Sequence, residues 1–370
     1  MRAGLLTVFL SGDVMLGRGV DQILPHPGDP ALRERYVGDA RSYVELAEAV
    51  SGRIPCPVDF SWPWGDALRV LDEAAPDVRV INLETSITRS DEFAPGKAVH
   101  YRMSPANIPS LTAIRPDVCA LANNHVLDFG ATGLRETLDT LAAAGLRAAG
   151  AGRDIGEARH PATVAVHGVG RVLVLSFGTA SSGIPPEWAA TRDQAGVDVV
   201  SESSDIRAAE ITDLVRRVKE AGDIVIASVH WGSNWGYGVS RDQVRFAHQL
   251  VNGDVDVVHG HSSHHPRPVE VYRDKLVLYG CGDCVDDYEG IGGHEYYRDE
   301  LRMLYLVMLE AASGKLIGLR MVPMRARRMR LWRASAEDCR WLREVLDRIS
   351  RGHGTRVDLE PDGTLTLRPA

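Results

Sequence analysis

Short apolar runs alternate with longer amphipathic stretches along most of this chain, and this alternation constrains the fold more than any other feature. The runs are rich in Val, Ile and Leu, and most of them end at Gly, Asn, Asp or His, which is typical of buried β-strands. They predict strands at Leu5–Leu10, Val78–Leu83, Val118–Ala122, Thr163–Val166, Val172–Phe177, Ile224–Val229, Val255–Val258 and Leu276–Tyr279. Helical patterns lie between several of them, at Gly65–Ala75, Gly133–Ala144, Ser204–Ala221 and Arg241–Asn252. The alternation predicts a layered α/β fold in which helices cover the sheets.

Two local signals refine this prediction. Gly168-Val169-Gly170 separates two predicted strands by a tight turn, which indicates a hairpin and therefore a mixed sheet. Beyond residue 324 the pattern changes to a strand, a helix over Ser335–Ser350 and a terminal hairpin around Pro361-Asp362-Gly363. Ser335 and Asp338 form a plausible N-cap pair for that helix. We predict one main domain at residues 1–324 and an appendage at residues 325–370 that packs on it.

Composition excludes several classes of protein. Hydrophobic residues at 44% and charged residues at 25% are ordinary for a globular protein, and the formal net charge of −8 argues against a nucleic-acid partner. The apolar run from Met1 to Leu10 ends too early for a signal peptide, and no stretch approaches the roughly 18 apolar residues of a membrane span. The five cysteines are scattered, which argues against a disulfide framework. We expect a cytoplasmic protein without a membrane anchor.

Histidines are concentrated in one part of the chain. Of the 13 histidines, six lie between residues 230 and 265: His230, His248, His259, His261, His264 and His265. Two of the predicted strands lead directly into members of this group, and the carboxyl ends of strands are where open α/β sheets bind ligands. A metal ion that binds neutral imidazoles would explain such crowding. The alternative is a polar loop in which the histidines are incidental.

Other strand ends carry oxygen ligands. Asp13 follows the first predicted strand, Glu84 follows the second, and Asn124 follows the third. Each of these residues alone is better explained as a helix cap or a turn residue. Together with the histidines they form the mixed oxygen and nitrogen ligand set of a two-metal hydrolytic site.

Five segments resemble the motifs of a known family. They are Gly12–Arg18, Asn82–Thr85, Leu121–Gly130, Val229–Gly232 and Gly260–His264. In this order they are similar to the CapA family of poly-γ-glutamate capsule synthesis proteins, which is related to the calcineurin-like metallophosphoesterases. The resemblance covers roughly Leu5 to Pro323. It implies a four-layered α/β/β/α sandwich with mixed sheets as the catalytic domain at residues 1–324.

The resemblance also implies roles for individual residues. It implies two divalent metal ions, Mn, Fe or Zn, held by Asp13, Glu84, Asn124, His230, His261 and His264. Glu84 is the implied bridging carboxylate. His125 is implied to lie beside the metals without binding them, and Asp128 would orient it. The residues predicted to contact substrate are Arg18, Lys97, Asn123 and Asp283, and an exposed loop is an equally good interpretation of Lys97.

One departure from the related phosphoesterases concerns the metals. Met15 stands where those enzymes have a histidine ligand. One metal is then short of a ligand, bound weakly, or completed by a residue from elsewhere. We therefore predict a tight site at Glu84, Asn124, His230 and His261, and a looser site at Asp13, Glu84 and His264.

The predicted activity is hydrolysis by a metal-bridged hydroxide, with His125 as general acid. The substrate would be a small-molecule or short peptide-like anion: a phosphoester, an acyl phosphate or a γ-glutamyl-type amide. Two alternatives stay open at this point. One is a metal-dependent enzyme that forms or transfers γ-glutamyl amides in poly-γ-glutamate-type biosynthesis, and the other is a metal-stabilised binding protein without turnover.

Overall fold

The chain folds into two facing β-sheets with helices on both outer surfaces. The computed structural model describes residues 4–369. The strands are β1 (Leu5–Val14), β2 (Val78–Leu83), β3 (Ser86–Ile87), β4 (Arg102–Met103), β5 (Val118–Ala120), β6 (Arg147–Ala149), β7 (Ala151–Gly152), β8 (Ala162–Val166), β9 (Gly170–Thr179), β10 (Gly196–Val197), β11 (Val199–Val200), β12 (Ile224–His230), β13 (Val257–His261), β14 (Val269–Tyr272), β15 (Lys275–Leu278), β16 (Asp283–Val285), β17 (Leu301–Glu310), β18 (Leu316–Ala326), β19 (Leu331–Arg333), β20 (Thr355–Leu359) and β21 (Leu365–Pro369). The α-helices are α1 (Arg18–Ile23), α2 (Arg41–Ser51), α3 (Asp66–Ala74), α4 (Ile108–Thr112), α5 (Gly130–Ala143), α6 (Ile155–Arg159), α7 (Asp205–Val218), α8 (Arg241–Asn252) and α9 (Ala336–Ser350).

Both large sheets are mixed, as predicted. The first has ten strands in the order β20-β21-β18-β17-β1-β2-β5-β6, with β16 on β1 and β19 on β18. Its strands β1, β2, β5 and β6 run parallel, whereas β17 runs antiparallel to β1. The second has seven strands in the order β11-β9-β12-β13-β15-β14, with β8 paired antiparallel to β9 as the predicted hairpin. The parallel strands of each sheet place their carboxyl ends at one edge.

Alternation of side chains along the strands builds the layers. In β1, Val8 points into the space between the sheets, and Phe9 points to the other face, where Leu71 of α3 packs. In β12, Ile226 faces the first sheet, and Val225 faces the outer helices α7 and α8. Each fully buried Val, Leu or Ile side chain contributes about 1.5–3 kcal/mol relative to exposure. The predicted order of layers, α/β/β/α, is confirmed by these three clusters.

The predicted elements agree with the structure where the local pattern is strong. The helix Arg241–Asn252 and the strand Val78–Leu83 have the predicted bounds. Helix α9 starts after Ser335, whose side chain and that of Asp338 form a capping box. The prediction was incomplete at β17 and β18, two long neighbouring strands that pair with each other and that the sequence pattern did not reveal.

The segment after β18 contains the predicted strand, helix and hairpin. Strand β21 pairs with β18 and so extends the first sheet, and Leu342 and Leu346 of α9 enter the core between the sheets. The boundary predicted between residues 324 and 325 falls inside β18. The division into a main domain and an appendage stays a prediction.

Two further observations bear on the expected location. Within residues 4–369, no helix combines the length and the apolar character that crossing a membrane requires. Residues 1–3 of the N-terminal apolar run lie outside the described part of the chain. All five cysteines are free thiols in the described part of the chain.

Candidate metal centre and pocket

Strand ends from both sheets meet at one place. Asp13 at the end of β1 lies beside Asn82 of β2 on one side and Asp283 of β16 on the other. In the second sheet, His230 of β12 is paired with His261 of β13. A direct hydrogen bond joins the two sheets here, because the His259 ring donates through Nε2 to the backbone carbonyl of Ser11 at 2.8 Å. Residues 248 positions apart in the chain are thereby brought to a single site at the carboxyl ends of the strands.

Two carboxylates lie at the centre of this site. The Asn82 amide donates both to Asp13 Oδ1 at 2.7 Å and to Glu84 Oε2 at 2.8 Å. Burial raises the pKa of Asp13 to about 7, and the neighbouring charge of Asp283 adds to the rise. Burial, together with the charge of Asp13, raises the pKa of Glu84 well above its ordinary range. Like charges this close cannot both ionise at neutral pH unless a cation compensates them.

The histidines of the second sheet present neutral rings to these carboxylates. The two Nδ1 atoms of His230 and His261 are 2.8 Å apart, and His230 Nε2 lies 3.0 Å from Asn124 Oδ1. The same Nε2 atom lies 3.9 Å from Glu84 Oε1. Burial lowers the pKa of both histidines well below the ordinary value, so that each ring keeps a lone pair. Neutral imidazole is the form that binds metal ions.

A second group of ligand atoms lies on the other side of Asp13. His264 Nδ1 is 2.9 Å from Asp283 Oδ1. Ligand atoms of Asp13, His264 and Asp283 lie within 4.8 Å of one another, and so do ligand atoms of Asp13, His230 and His261. Asp13 is common to both groups, whereas the family resemblance implies Glu84 as the bridging carboxylate.

Two buried oxygens support the fit of a cation to this donor set. Oδ2 of Asp13 and Oδ2 of Asp283 have no hydrogen-bond partner within residues 4–369, although both side chains are buried. Buried polar atoms almost always have a partner, and an unpaired carboxylate oxygen is especially costly. Carboxylate oxygens, an amide oxygen and imidazole nitrogens together suit a divalent transition metal.

His125 is held by a separate network at the edge of the site. Its Nδ1 atom lies 2.7 Å from Asp128 Oδ2, and the same carboxylate accepts the Tyr101 backbone N–H at 2.7 Å. Lys97 forms an ion pair with Asp128 and lies 3.3 Å from His125 Nδ1. The Tyr101 ring stacks on the imidazole with 3.7 Å between centroids. Burial lowers the pKa of His125 to about 4, even though Asp128 opposes this shift.

A small cavity opens over the candidate ligands. Its volume is about 220 Å³, and its walls include Glu84, Lys97, Tyr101, Asn124, His125, His230 and His264. Lys97 is the one lysine or arginine that the described residues contribute to the cavity wall. The cavity therefore combines metal-ligating groups, the His125 ring and a single cation.

The four residues predicted to contact substrate have different surroundings. Lys97 lines the cavity. Arg18 is buried, and its guanidinium pairs with Asp287 at 2.5 Å and with Glu34 at 3.0 Å. Asn123 is buried as well, and its amide donates to Asn82 Oδ1 at 3.0 Å. Asp283 lies among the candidate ligands, next to Asp13.

Sequence reasoning assigned no role to Asn82, which orients both central carboxylates. Its position two residues before Glu84, on the strand that leads into Glu84, was an available signal, because alternate residues of an extended segment share one face. The position of Asp283 beside Asp13 depends on pairing between β1 and β16, which lie far apart in the chain. No local sequence pattern predicts such a pairing, because the register of a strand depends on its partner strand.

Sequence comparison identifies the class of protein to which this chain belongs. Residues 7–288 match the family model described as bacterial capsule synthesis protein PGA_cap. The chain belongs to this family, and the resemblance to CapA proteins is confirmed.

Comparison with individual proteins shows how similar this chain is to other members of the family and to solved structures. The chain is 58% identical over 367 residues to a probable polyglutamine synthesis accessory protein of Mycobacterium tuberculosis, covering 99% of this chain and 97% of the relative. It is 26% identical over 282 residues to the capsule biosynthesis protein CapA of Bacillus anthracis, covering 76% of this chain and 60% of that protein. Among solved structures, a 5'-nucleotidase precursor from Thermus thermophilus aligns with 15% identity and a TM-score of 0.41, covering 86% of this chain and 54% of that one.

Proposed function

We propose that this member of the capsule synthesis family is a metal-dependent hydrolase. Its substrate is a small or short peptide-like anion that carries a phosphoester, an acyl phosphate or a γ-glutamyl-type amide. The observation that supports this most directly is the pair of unpartnered carboxylate oxygens, on Asp13 and Asp283, within the described residues; they lie among histidines beside the His125–Asp128 pair. This combination suits metal-assisted hydrolysis with proton transfer.

The proposed ligands of the metals are the six residues that the family pattern implies: Asp13, Glu84, Asn124, His230, His261 and His264. Mn, Fe and Zn all suit this donor set. Held by these residues, two cations would supply Lewis acidity and would lower the pKa of a bound water. Asn82 holds Asp13 and Glu84 in place by donating to both of them, and Asn123 holds the Asn82 amide in turn.

His125 is the proposed proton donor to the leaving group. Asp128 accepts from Nδ1–H, which fixes the ring orientation and leaves Nε2 for the substrate side. Because burial lowers the pKa of His125 to about 4, the ring is neutral in the free protein, and we propose that the negative charge of a bound substrate raises this pKa so that Nε2 carries the proton that is transferred. Lys97 keeps Asp128 ionised through their ion pair, and Tyr101 packs flat against the imidazole. Arg18 lies 4.7 Å from the Tyr101 ring, so we assign it a positioning role behind that ring.

The size and charge of the pocket limit the substrate. A cavity of about 220 Å³ is below the roughly 300–1,000 Å³ of sites that enclose drug-sized ligands. The reacting group or one end of a chain fits this space, and Lys97 attracts its negative charge. The net charge of −8 disfavours nucleic acid. Free cysteines support a reducing compartment such as the cytoplasm.

A panel of substrates with defined metals tests the proposal. The metal-free protein is reloaded with Mn²⁺, Fe²⁺ or Zn²⁺ and assayed on phosphoesters, acyl phosphates and γ-glutamyl amides. We expect turnover of at least one class that a chelator abolishes and that His125→Asn reduces. His248→Asn, which changes a histidine on α8 outside the site, is the matched control and keeps full activity. Activity that is insensitive to chelation contradicts the proposal.

A second function is favoured by the names of the relatives, which are those of biosynthetic proteins. In this case the same site transfers a γ-glutamyl group to an amine instead of to water. Mass spectrometry of products formed with an amine acceptor distinguishes the two reactions, because transfer yields a new amide. Bound metal without turnover on any substrate would instead indicate a binding protein, in keeping with the description of one relative as an accessory protein.

A further inference from the structure

We propose that Asp283 is a metal ligand, which forms a second metal site with Asp13 and His264 and takes the place of the histidine that Met15 replaces. This inference rests on the proposed metal-dependent function. It assigns to Asp283 a role that differs from the substrate contact expected from the sequence. It also selects one of the three outcomes left open by Met15, namely a ligand supplied from elsewhere in the chain.

Strand pairing places Asp283 beside Asp13. Strands β1 and β16 run parallel with these two residues in register, and the Asp13 N–H donates to the Gly282 carbonyl at 3.1 Å. Gly12 permits this approach, because a Cβ atom there would lie 1.6 Å from the Gly282 carbonyl oxygen. The two carboxylates are therefore neighbours because of the backbone, and not because of a side-chain rotamer.

The hydrogen bonds of the three side chains leave room for one more partner. His264 Nδ1 is hydrogen-bonded to Asp283 Oδ1, and the Asn82 amide donates to Asp13 Oδ1. The second oxygen of each carboxylate has no hydrogen-bond partner within the described residues, although Asp13 is 3% exposed and Asp283 is 2% exposed. Two buried carboxylates side by side repel each other, and a cation between their free oxygens would remove that cost.

The position of Asp283 also argues against a direct substrate contact. Within the described residues, the cavity wall includes His264 but neither Asp13 nor Asp283. Asp283 is buried and hydrogen-bonded to His264, a residue of the wall, at 2.9 Å. A buried carboxylate outside the cavity wall is better placed to bind an ion within the protein than to contact a substrate.

The two sites then differ in chemistry. The site at Glu84, Asn124, His230 and His261 offers two nitrogens, whereas the site at Asp13, Asp283 and His264 offers two carboxylates and one nitrogen. Oxygen-rich sites suit harder cations such as Mn²⁺, and imidazole suits Zn²⁺ and Fe²⁺. We expect the preference for Zn²⁺ over Mn²⁺ to be smaller at the oxygen-rich site than at the site with two imidazoles.

Metal counting on the full chain tests the inference. The metal-free wild type and Asp283→Asn are titrated with Mn²⁺, and bound metal is measured by elemental analysis. We expect two ions per wild-type chain, and for Asp283→Asn one ion, or a second ion bound at least tenfold more weakly. The matched control is Asp256→Asn, which removes a buried carboxylate paired with Lys219 and Lys275. We expect this variant to bind metal as the wild type does.

Folding of the variant is checked by circular dichroism without metal. Should Asp283→Asn fail to fold, crystals of the wild type grown with Mn²⁺ give the answer instead, since the inference requires anomalous density within bonding distance of Asp283 Oδ2. The inference is overturned if Asp283→Asn binds two ions with wild-type affinity, if that density is absent, or if the wild type binds only one ion. A wild type that binds no metal overturns the proposed function as well, which separates the two failures.

Discussion

The close contact between β1 and β16 predicts that Gly12→Ala disrupts the site and the fold together. The added Cβ would lie 1.6 Å from the Gly282 carbonyl oxygen and 2.7 Å from its carbon. Both atoms belong to the backbone, so no side chain can rotate to make room. Gly12 also sits directly before Asp13, so that any displacement is transmitted to the proposed ligands.

The size of the effect follows from the required movement. Raising this contact from 1.6 Å to 3.0 Å, below which real Cβ atoms essentially never approach another atom, requires the two backbone segments to move relative to each other by at least 3.0 − 1.6 = 1.4 Å. Overpacking in a well-packed core costs about 1–3 kcal/mol and occasionally more, whereas the entropic gain of Gly→Ala is only about 0.4–1 kcal/mol. Metal–ligand distances tolerate about 0.2 Å, so a shift of this size removes Asp13 and Asp283 from a common ion.

Two measurements check this prediction. Urea unfolding of the metal-free protein should show a loss of at least about 1 kcal/mol, and elemental analysis should show fewer bound ions than in the wild type. The control is Gly318→Ala in β18, where the nearest atom to the added Cβ is Met308 Cε at 4.0 Å. Gly318→Ala should match the wild type in both measurements. Wild-type stability and metal content in Gly12→Ala would refute the reasoning.

Three further predictions concern other parts of the molecule. His125→Asn should keep its metals yet slow substrates with poor leaving groups by about 10²–10⁴-fold, while activated aryl substrates are spared; equal slowing of both would contradict the role of proton donor. Glu84→Gln should lose at least one ion and lower the melting temperature, since metal at a hundredfold excess over Kd adds about 2.7 kcal/mol; unchanged metal and melting temperature would leave Glu84 a structural cap. The Arg356 guanidinium holds the pKa of Asp347 well below its usual range. The ionised carboxylate therefore contributes to the free energy of unfolding at pH values above the ordinary pKa of Asp, and this contribution is lost as the pH falls through the pKa that Asp347 has in the folded protein. Asp347→Asn should therefore cost about 1–3 kcal/mol at pH 7, with a gap to the wild type that narrows in acid; a gap independent of pH in denaturant titrations would argue against this ion pair.

Local sequence signals were sufficient for much of the fold. Helix α8 could be bounded because Ser240 caps it and its apolar residues follow the helical period. The hairpin of β8 and β9 could be predicted from its glycine-rich turn. Strand β17 could not, because Leu301–Glu310 is a nearly continuous apolar run rich in Leu and Met, and such a run fits a buried helix or a buried strand equally well. Pairing with β1, which lies at the other end of the chain, makes this segment a strand, and that pairing is not local. The pairing with β18 is a hairpin, but its connection, residues 311–315, was not recognised as a turn.

In the candidate site, too, local sequence patterns predict some residues, whereas the surroundings of others depend on distant segments of the chain. Residues that directly follow apolar runs, such as Asp13, Glu84 and His230, could be predicted as neighbours because parallel strands end at one edge. Arg18 follows the first of these runs too, but its partners Asp287 and Glu34 come from other segments, and only the structure shows that its charge is already compensated. Lys97 is paired as well, with Asp128, but it lines the cavity, whereas Arg18 does not.

The distribution of proposed ligands over both sheets connects stability to metal binding. Asp13 and Glu84 belong to the end of the first sheet, and His230 and His261 belong to the second. Apolar side chains fill the space between the sheets elsewhere, whereas at this end the facing groups are carboxylates and imidazoles. Without a cation these carboxylates repel one another, so charge repulsion opposes the approach of the two sheets at this end. Bound metal would join the two sheets where the hydrophobic core does not, so we expect a substitution of a proposed ligand to lower metal binding and stability together. Measuring each variant without metal separates the two effects, because only the loss that persists in the metal-free protein belongs to the fold.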